Sequence, residues 1–169
     1  RFISERVNQL RNWGINFIQG DVLDKELMQK HLSNCDVVHH LAGITEVPRT
    51  SKESDEIINN KINLVATEGT KNIINAVSNS CKIIFPSTHV VYEGIETSKE
   101  NIIEQEPTSA KLAYAKGKVS NEEQIKNSGK NYIILRLGSV YGYSTDTTRL
   151  DIMPNLFSKI ASQNGIIKL

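Results

Sequence analysis

Cysteine is nearly missing from this chain, with Cys35 and Cys81 the two present in 169 residues. They stand too far apart for a Cys-x-x-Cys redox or zinc motif. The spacing excludes a disulfide scaffold, and two buried, reduced thiols in a cytoplasmic protein are expected. An excess of one charge is missing as well. The 20 basic and 19 acidic residues leave a net charge of +1 and are well mixed, so neither nucleic acid nor an anionic membrane is an expected partner. No apolar run approaches the ~18 residues of a membrane span, and the opening residues lack a signal-peptide pattern, which reads as a soluble chain. The four histidines (His31, His39, His40 and His89) form no ligand pattern with cysteines or acids, so no metal is expected. None of the ten glycines falls into G-x-G-x-x-G or the looser G-x-x-G-x-x-G.

What is present is alternation. "SERVNQLRNWG" reads as a short amphipathic helix stopped by Gly14, with Trp13 as core. "INFIQGDVLD" reads as a strand breaking at Gly20, with Asp24 placed to cap the helix "KELMQKHLS". "CDVVHHLAG" is a buried strand ending in a small-residue turn, and its His39 and His40 take structural roles. The loop "ITEVPRTSKESDE" leads to a helix over about 55–78. "CKIIFPST" is the next strand, followed by a punctuated loop to residue 109 and a helix over 112–126. The strand "NYIILRL", the loop "GSVYGYSTDTTR", the helix "IMPNLFSKIASQNG" and the start of a strand, "IIKL", complete the chain. Short β-branched runs alternating with longer helices imply α/β architecture, a parallel sheet with helices on both faces. Such sheets bind ligands at the carboxyl ends of their strands. Asp21, Ala42 with Gly43, Thr88 and Ser139 to Gly142 all fall there.

The helix "LAYAKGKVSNEEQIK" carries Tyr114 and Lys118 four positions apart. At 3.6 residues per turn the two side chains are neighbours. An ammonium beside a phenol stabilises the phenolate, one way to make tyrosine a general acid/base. With five Tyr and 14 Lys in the chain, about 0.4 such pairs arise by chance, so the spacing alone is weak evidence.

Taken together, "GDVLD", "DVVHHLAG", "NLVATEGT", "IIFPSTHVVYEG", "YAKGK" and "LRLGSVYG" resemble, in order and spacing, the extended short-chain dehydrogenase/reductases. The resemblance is nearest to the NAD-dependent nucleotide-sugar epimerases and dehydratases and runs from about residue 15 to 169. It implies a doubly wound, Rossmann-like fold and an NAD cofactor, with NADP as the alternative. It further implies a nucleotide-sugar substrate, and it is compatible with a homodimer. By the same resemblance Thr88 hydrogen-bonds the reacting oxygen and Tyr114 moves the hydroxyl proton. Lys118 assists Tyr114 and holds the nicotinamide ribose. Ser87 is the alternative to Thr88, but alternation along a strand points it to the other face. Asp21 and Val22 border the adenine. Leu41, Ala42 and Gly43 let the backbone approach the cofactor, and a buried Asn63 supports the active-site strand or Lys118. Tyr141 and Gly142 lie beside the nicotinamide. Ser139 stands where many relatives have Asn.

Two departures qualify the resemblance. The glycine fingerprint and the strand–turn–helix that carries it are absent, although a helix N-terminus there holds the pyrophosphate. Residues 1–169 are therefore expected to be a partial dinucleotide-binding domain, incomplete at the N-terminus by about 40 to 60 residues. Residues 139–169 lead into a substrate-binding portion, before which the domain is also incomplete, and the fragment by itself is expected to be inactive. Secondly, relatives that eliminate water place an Asp-Glu pair after the catalytic Ser or Thr. His89 and Val90 follow Thr88 here, which disfavours dehydration. The expected activity is that of an NAD(P)-dependent epimerase of a nucleotide-activated sugar. A ketoreductase using the same residues and a non-catalytic dinucleotide sensor are the alternatives.

Overall fold

A computed structural model describes residues 2–45, 52–142, 150 and 152–167, and it divides into two units. The larger, Gly20–Leu137, carries a three-stranded parallel sheet in the order β1-β2-β3, formed by Val37–His39, Lys82–Thr88 and Asn131–Leu137. Val38 pairs with Ile83, and Ile83 with Tyr132, so one face runs Val38, Ile83, Phe85 and Ile134. Parallel neighbours need crossover connections, and helices supply them.

The first helix of this unit, α2 (Lys25–Leu32), starts where the sequence predicts, with Asp24 Oδ1 accepting from Leu27 N at 2.9 Å. α3 (Lys52–Leu64) runs into a π turn (Val65–Gly69) and then α4 (Thr70–Ala76). The helix expected over 55–78 thus begins earlier, taking in part of the expected loop, and is interrupted. A π turn leaves carbonyls off the regular i→i−4 ladder, and such turns are frequent at functional sites. α5 (Ala113–Lys126) returns the chain from β2 to β3. Ile83 and Phe85 are fully buried in a core with Val38, Ile73, Val77, Cys81 and Ile125. On the opposite face Val37, Ile133 and Leu135 are exposed. Gly117 lets α5 approach closely, because a Cβ there would sit 3.2 Å from Ala66 Cβ. Asn72 Nδ2, donating at 3.1 Å to the carbonyls of both Val22 and Leu23, ties the Asp21 turn to α4.

The smaller unit, Arg1–Gln19 with Gly138–Leu169, contains α1 (Phe2–Asn12) and α6 (Met153–Ser162), whose first turn holds Pro154. Several sequence expectations fail here. Residues 15–20 form no ladder among the described residues. A strand exists only through a hydrogen-bonded neighbour, which alternation along one segment does not supply. Ile166 and Ile167 are likewise outside any strand, and residues 168–169 lie outside the described residues. Trp13, expected in the core, is 67% exposed at the end of α1.

In the larger unit the strand expected over 35–43 contracts to residues 37–39, of which only Val38 is buried, and Cys35 is half-buried where a buried thiol was expected. Cys81 is buried, and burial first of all raises its thiol pKa, which makes it a poor thiolate nucleophile.

Candidate functional site

β2 ends in two adjacent hydroxyls that are used differently. Ser87 Oγ donates to Glu122 Oε1 on α5 at 2.6 Å, so its proton is committed inside the fold. Thr88, 7% exposed, accepts from Val90 N at 3.2 Å and so caps the short turn His89–Tyr92. The Thr88 proton has no acceptor among the described residues, and it remains available to a ligand oxygen. Alternation along the strand separates the two side chains as the sequence implies.

Lys118 is half-buried on α5. Its Nζ donates to the Pro86 carbonyl at 2.7 Å, two residues before Thr88. The same nitrogen lies 4.5 Å from the Phe85 ring centre and 5.9 Å from that of Tyr114. Burial lowers the Lys118 pKa, because desolvation penalises the ammonium. An anion formed next to it therefore gains more than it would in water.

Tyr114, Lys118 and Gly43 line one cleft, together with Ile44, Gly117 and Asn121. With its amide nitrogen turned to the acceptors around it, Asn121 donates to Ala66 O at 2.8 Å and Gly117 O at 3.0 Å, satisfying a carbonyl of the π turn. A Cβ at Gly43 would meet nothing within 4 Å, and Leu41 is 70% exposed. The Leu41-Ala42-Gly43 segment is thus exposed backbone at the carboxyl end of β1.

Asp21, Val22 and Asn63 do not line that cleft. Asp21 is exposed, and its Oδ1 accepts from Leu23 N at 2.9 Å, an ordinary turn-capping bond. Val22 is half-buried against Gly69 and Asn72. Asn63, expected to be buried, is exposed on α3; the inward face at this point is carried by Ile62 and Ala66. The buried asparagines are Asn72 and Asn121. Tyr141 is 67% exposed in the smaller unit. There Gly142 adopts φ 146°, a backbone state that favours glycine, and its N–H donates to Asn155 Oδ1 at 3.0 Å. Ser139 belongs to the same unit.

A buried carboxylate escaped the sequence reading. Glu122 is 1% exposed. It accepts from Ser87, from Arg136 Nε at 3.0 Å and Nη2 at 2.6 Å, and from Lys126 Nζ at 3.2 Å. Burial pushes its pKa up, but the hydrogen bonds from Arg136, Ser87 and Lys126 and the Arg136 charge outweigh that, and the net shift is downward. The four-residue spacing from Glu122 to Lys126 on α5 was the signal that could have found it.

His40, 2% exposed, contacts Thr70 Oγ1 through Nε2 at 2.8 Å, while its Nδ1 has no partner among the described residues. Burial, then the Lys118 charge, lower its pKa from 6.5 to about 4. The unfolded chain therefore takes up this proton at a higher pH than the folded one. Stability attributable to neutral His40 is intact above pH 6.5 and is lost as pH falls toward 4. At ~1.4 kcal/mol per pH unit the loss between pH 7 and 5 is about 2 kcal/mol. Urea denaturation at the two pH values should show it, and His40→Gln should shrink the difference. An equal difference in the variant would assign the acid sensitivity to other groups.

Among the described residues no cluster of His, Cys, Asp and Glu could hold a metal, and no helix is long and apolar enough to cross a membrane.

Comparison with known proteins places this geometry. The chain is 38% identical over 79 residues to the UDP-N-acetyl-alpha-D-glucosaminuronate decarboxylase of Bacillus cytotoxicus, covering 46% of this chain and 23% of that enzyme. A UDP-glucuronic acid 4-epimerase from Bacillus cereus, solved with NAD and a fluorinated UDP-sugar, superposes with a TM-score of 0.73 at 21% identity. The match covers 98% of this chain and 52% of that one. The Bordetella bronchiseptica enzyme WbmH, solved with NAD+, gives 0.69 at 21% identity, over 89% and 48%. The matches thus span about half the length of these solved proteins and about a quarter of the curated relative. The fold is theirs, a Rossmann-like parallel α/β sheet. The model of the NAD dependent epimerase/dehydratase family matches residues 2–169, and the chain belongs to that family.

Proposed function

We propose that the protein of which these residues form part is an NAD(P)-dependent epimerase acting on a nucleotide-activated sugar. The observation that carries the reading is the placement of Lys118, bonded at 2.7 Å to the strand end that precedes Thr88 and 5.9 Å from the Tyr114 ring. Tyr114 takes the proton of the sugar hydroxyl, and the Thr88 O–H donates to the same oxygen. The Lys118 ammonium favours the phenolate between turns of the cycle. When bound, a nicotinamide supplies the hydride acceptor and donor. The open Leu41-Ala42-Gly43 backbone, the exposed Asp21 with Val22, and Lys118 are suited to hold its dinucleotide. The keto sugar then turns over in the site and is reduced on its other face. Two relatives are named for carboxylated UDP-sugars, so UDP-uronic acids are the first substrates to try.

The test is a panel of sugar nucleotides offered to the full-length protein loaded with NAD. Formation of an epimer supports the reading. One-way consumption of NAD(P)H with a keto sugar would replace it with a ketoreductase, and bound cofactor with no turnover would replace it with a sensor. The hydroxyl assignment has its own check. Thr88→Val should lower kcat with cofactor affinity little changed, and Ser87→Ala should act on stability instead. The reverse pattern would exchange the two roles.

A further inference from the structure

The interior of the larger unit holds a row of polar side chains that the proton-transfer chemistry does not use. Asn121 on α5, Thr70 at the start of α4 and His40 just after β1 are all buried. Besides its bonds to Ala66 O and Gly117 O, the Asn121 amide donates to Thr70 Oγ1 at 3.3 Å, and that oxygen lies 2.8 Å from His40 Nε2. The row thus crosses from α5 to the π turn, α4 and the end of β1. His40 is itself fixed. Its N–H donates to Ile84 O at 2.9 Å, and Leu41 N donates to His39 O at 3.0 Å, closing a tight turn around it. The exposed Leu41-Ala42-Gly43 segment starts at that turn.

Burying an amide costs free energy that an apolar side chain of similar size would not. What the amide supplies is direction. A Cβ at Gly117 would sit 3.2 Å from Ala66 Cβ, so α5 and the π turn touch through their smallest residues. Surfaces this flat interdigitate little and resist sliding weakly. Hydrogen bonds hold a separation and an angle that dispersion contacts leave loose. The Asn121 amide faces two acceptors across the gap, Ala66 O and Thr70 Oγ1, and one within α5, Gly117 O. Gly117 stands between Tyr114 and Lys118, and Asn121 lines the same cleft as those two residues and Gly43.

We infer that Asn121 is a positioning residue: its bonds to the π turn and to Thr70 set the separation between the Leu41-Ala42-Gly43 backbone and the face of α5 that carries Tyr114 and Lys118. The inference rests on the reading of that cleft as the dinucleotide and proton-transfer site, and deepens it. Asn121 acts through Tyr114 and Lys118, which need a cofactor held by one element to lie against a phenol held by another. A misplacement of about 1 Å in such an arrangement costs up to about 100-fold in rate.

The experiment compares the full-length wild type with Asn121→Val and Asn121→Thr. The two variants share a shape, but the threonine hydroxyl can bond back to Gly117 O within α5 while reaching neither Ala66 nor Thr70. NAD affinity by calorimetry and kcat with UDP-uronic acids are measured well below each melting transition. Both variants should bind NAD about 10-fold more weakly and turn over about 10- to 100-fold more slowly. Thr70→Val cuts the link to His40 while sparing the Ala66 and Gly117 bonds, and should weaken NAD binding by about threefold. It keeps the test decisive if the Asn121 variants do not fold. Ile125→Val, which trims the core one turn further along α5, should lower the melting temperature and leave NAD affinity and kcat unchanged. NAD affinity equal to wild type in the folded variants overturns the inference and makes Asn121 a stabilising residue only. Full recovery in Asn121→Thr also overturns it, because the bond within α5 would then suffice. The NAD comparison needs no sugar, so a wild type that binds NAD but converts no sugar nucleotide removes the epimerase reading alone. A wild type that binds no NAD overturns both.

Discussion

Tyr114→Phe in the full-length protein should fold normally and bind cofactor, yet lose about 10²–10⁴ in turnover. The change deletes one oxygen at the head of α5 and leaves the ring that Lys118 faces at 5.9 Å. The Lys118 bond to Pro86 is untouched, so the strand end and the Leu41-Ala42-Gly43 backbone should keep their positions. Steady-state kinetics with calorimetric cofactor titration separates the outcomes. The expected pattern is a fall in kcat with the cofactor Kd nearly unchanged. Turnover within a factor of a few of wild type would remove the phenol from the mechanism. Loss of cofactor binding would make Tyr114 a binding residue first.

Glu122→Ala should be the most damaging single change to stability, costing about 3–5 kcal/mol, because it strands a partly buried Arg136 without its counter-charge. Arg136 is only 12% exposed at its side chain and relies on Glu122 for two of its bonds. Burial alone would raise the Glu122 pKa; the bonds from Arg136, Ser87 and Lys126 reverse the direction. Its contribution is therefore complete above the ordinary carboxylate range and disappears as pH falls through the lowered value. Denaturant titration at neutral pH measures the loss directly. A cost below about 1 kcal/mol would put the pair among solvent-screened surface bridges. The network also joins the end of β2 to the helix that carries Tyr114 and Lys118. Ser87→Ala should accordingly reproduce a smaller part of the loss, about 1–3 kcal/mol for a buried acceptor deprived of one donor.

Short-range features were legible in the amino-acid order. Asp24 caps α2 because an oxygen three residues before an orphan N–H reaches it whatever the rest of the chain does. Tyr114 and Lys118 became neighbours because helical geometry makes them so. The parallel α/β class followed from the alternation of apolar runs and helices, and the six ordered segments identified the family. Partnership across the fold was decided only by tertiary structure. Whether residues 15–20 make a strand depends on a neighbour that their own pattern cannot specify, and the burial of Trp13 depends on what packs over α1. Asn63 read as buried from its place in the segment "NLVAT"; packing turned Ile62 and Ala66 inward instead, and Asn72 and Asn121 take the interior positions. Ser87 and Glu122 are 35 residues apart, and Arg136 lies 14 beyond Glu122. A charged side chain chooses its partner by distance and desolvation in three dimensions, and neither is periodic along the chain.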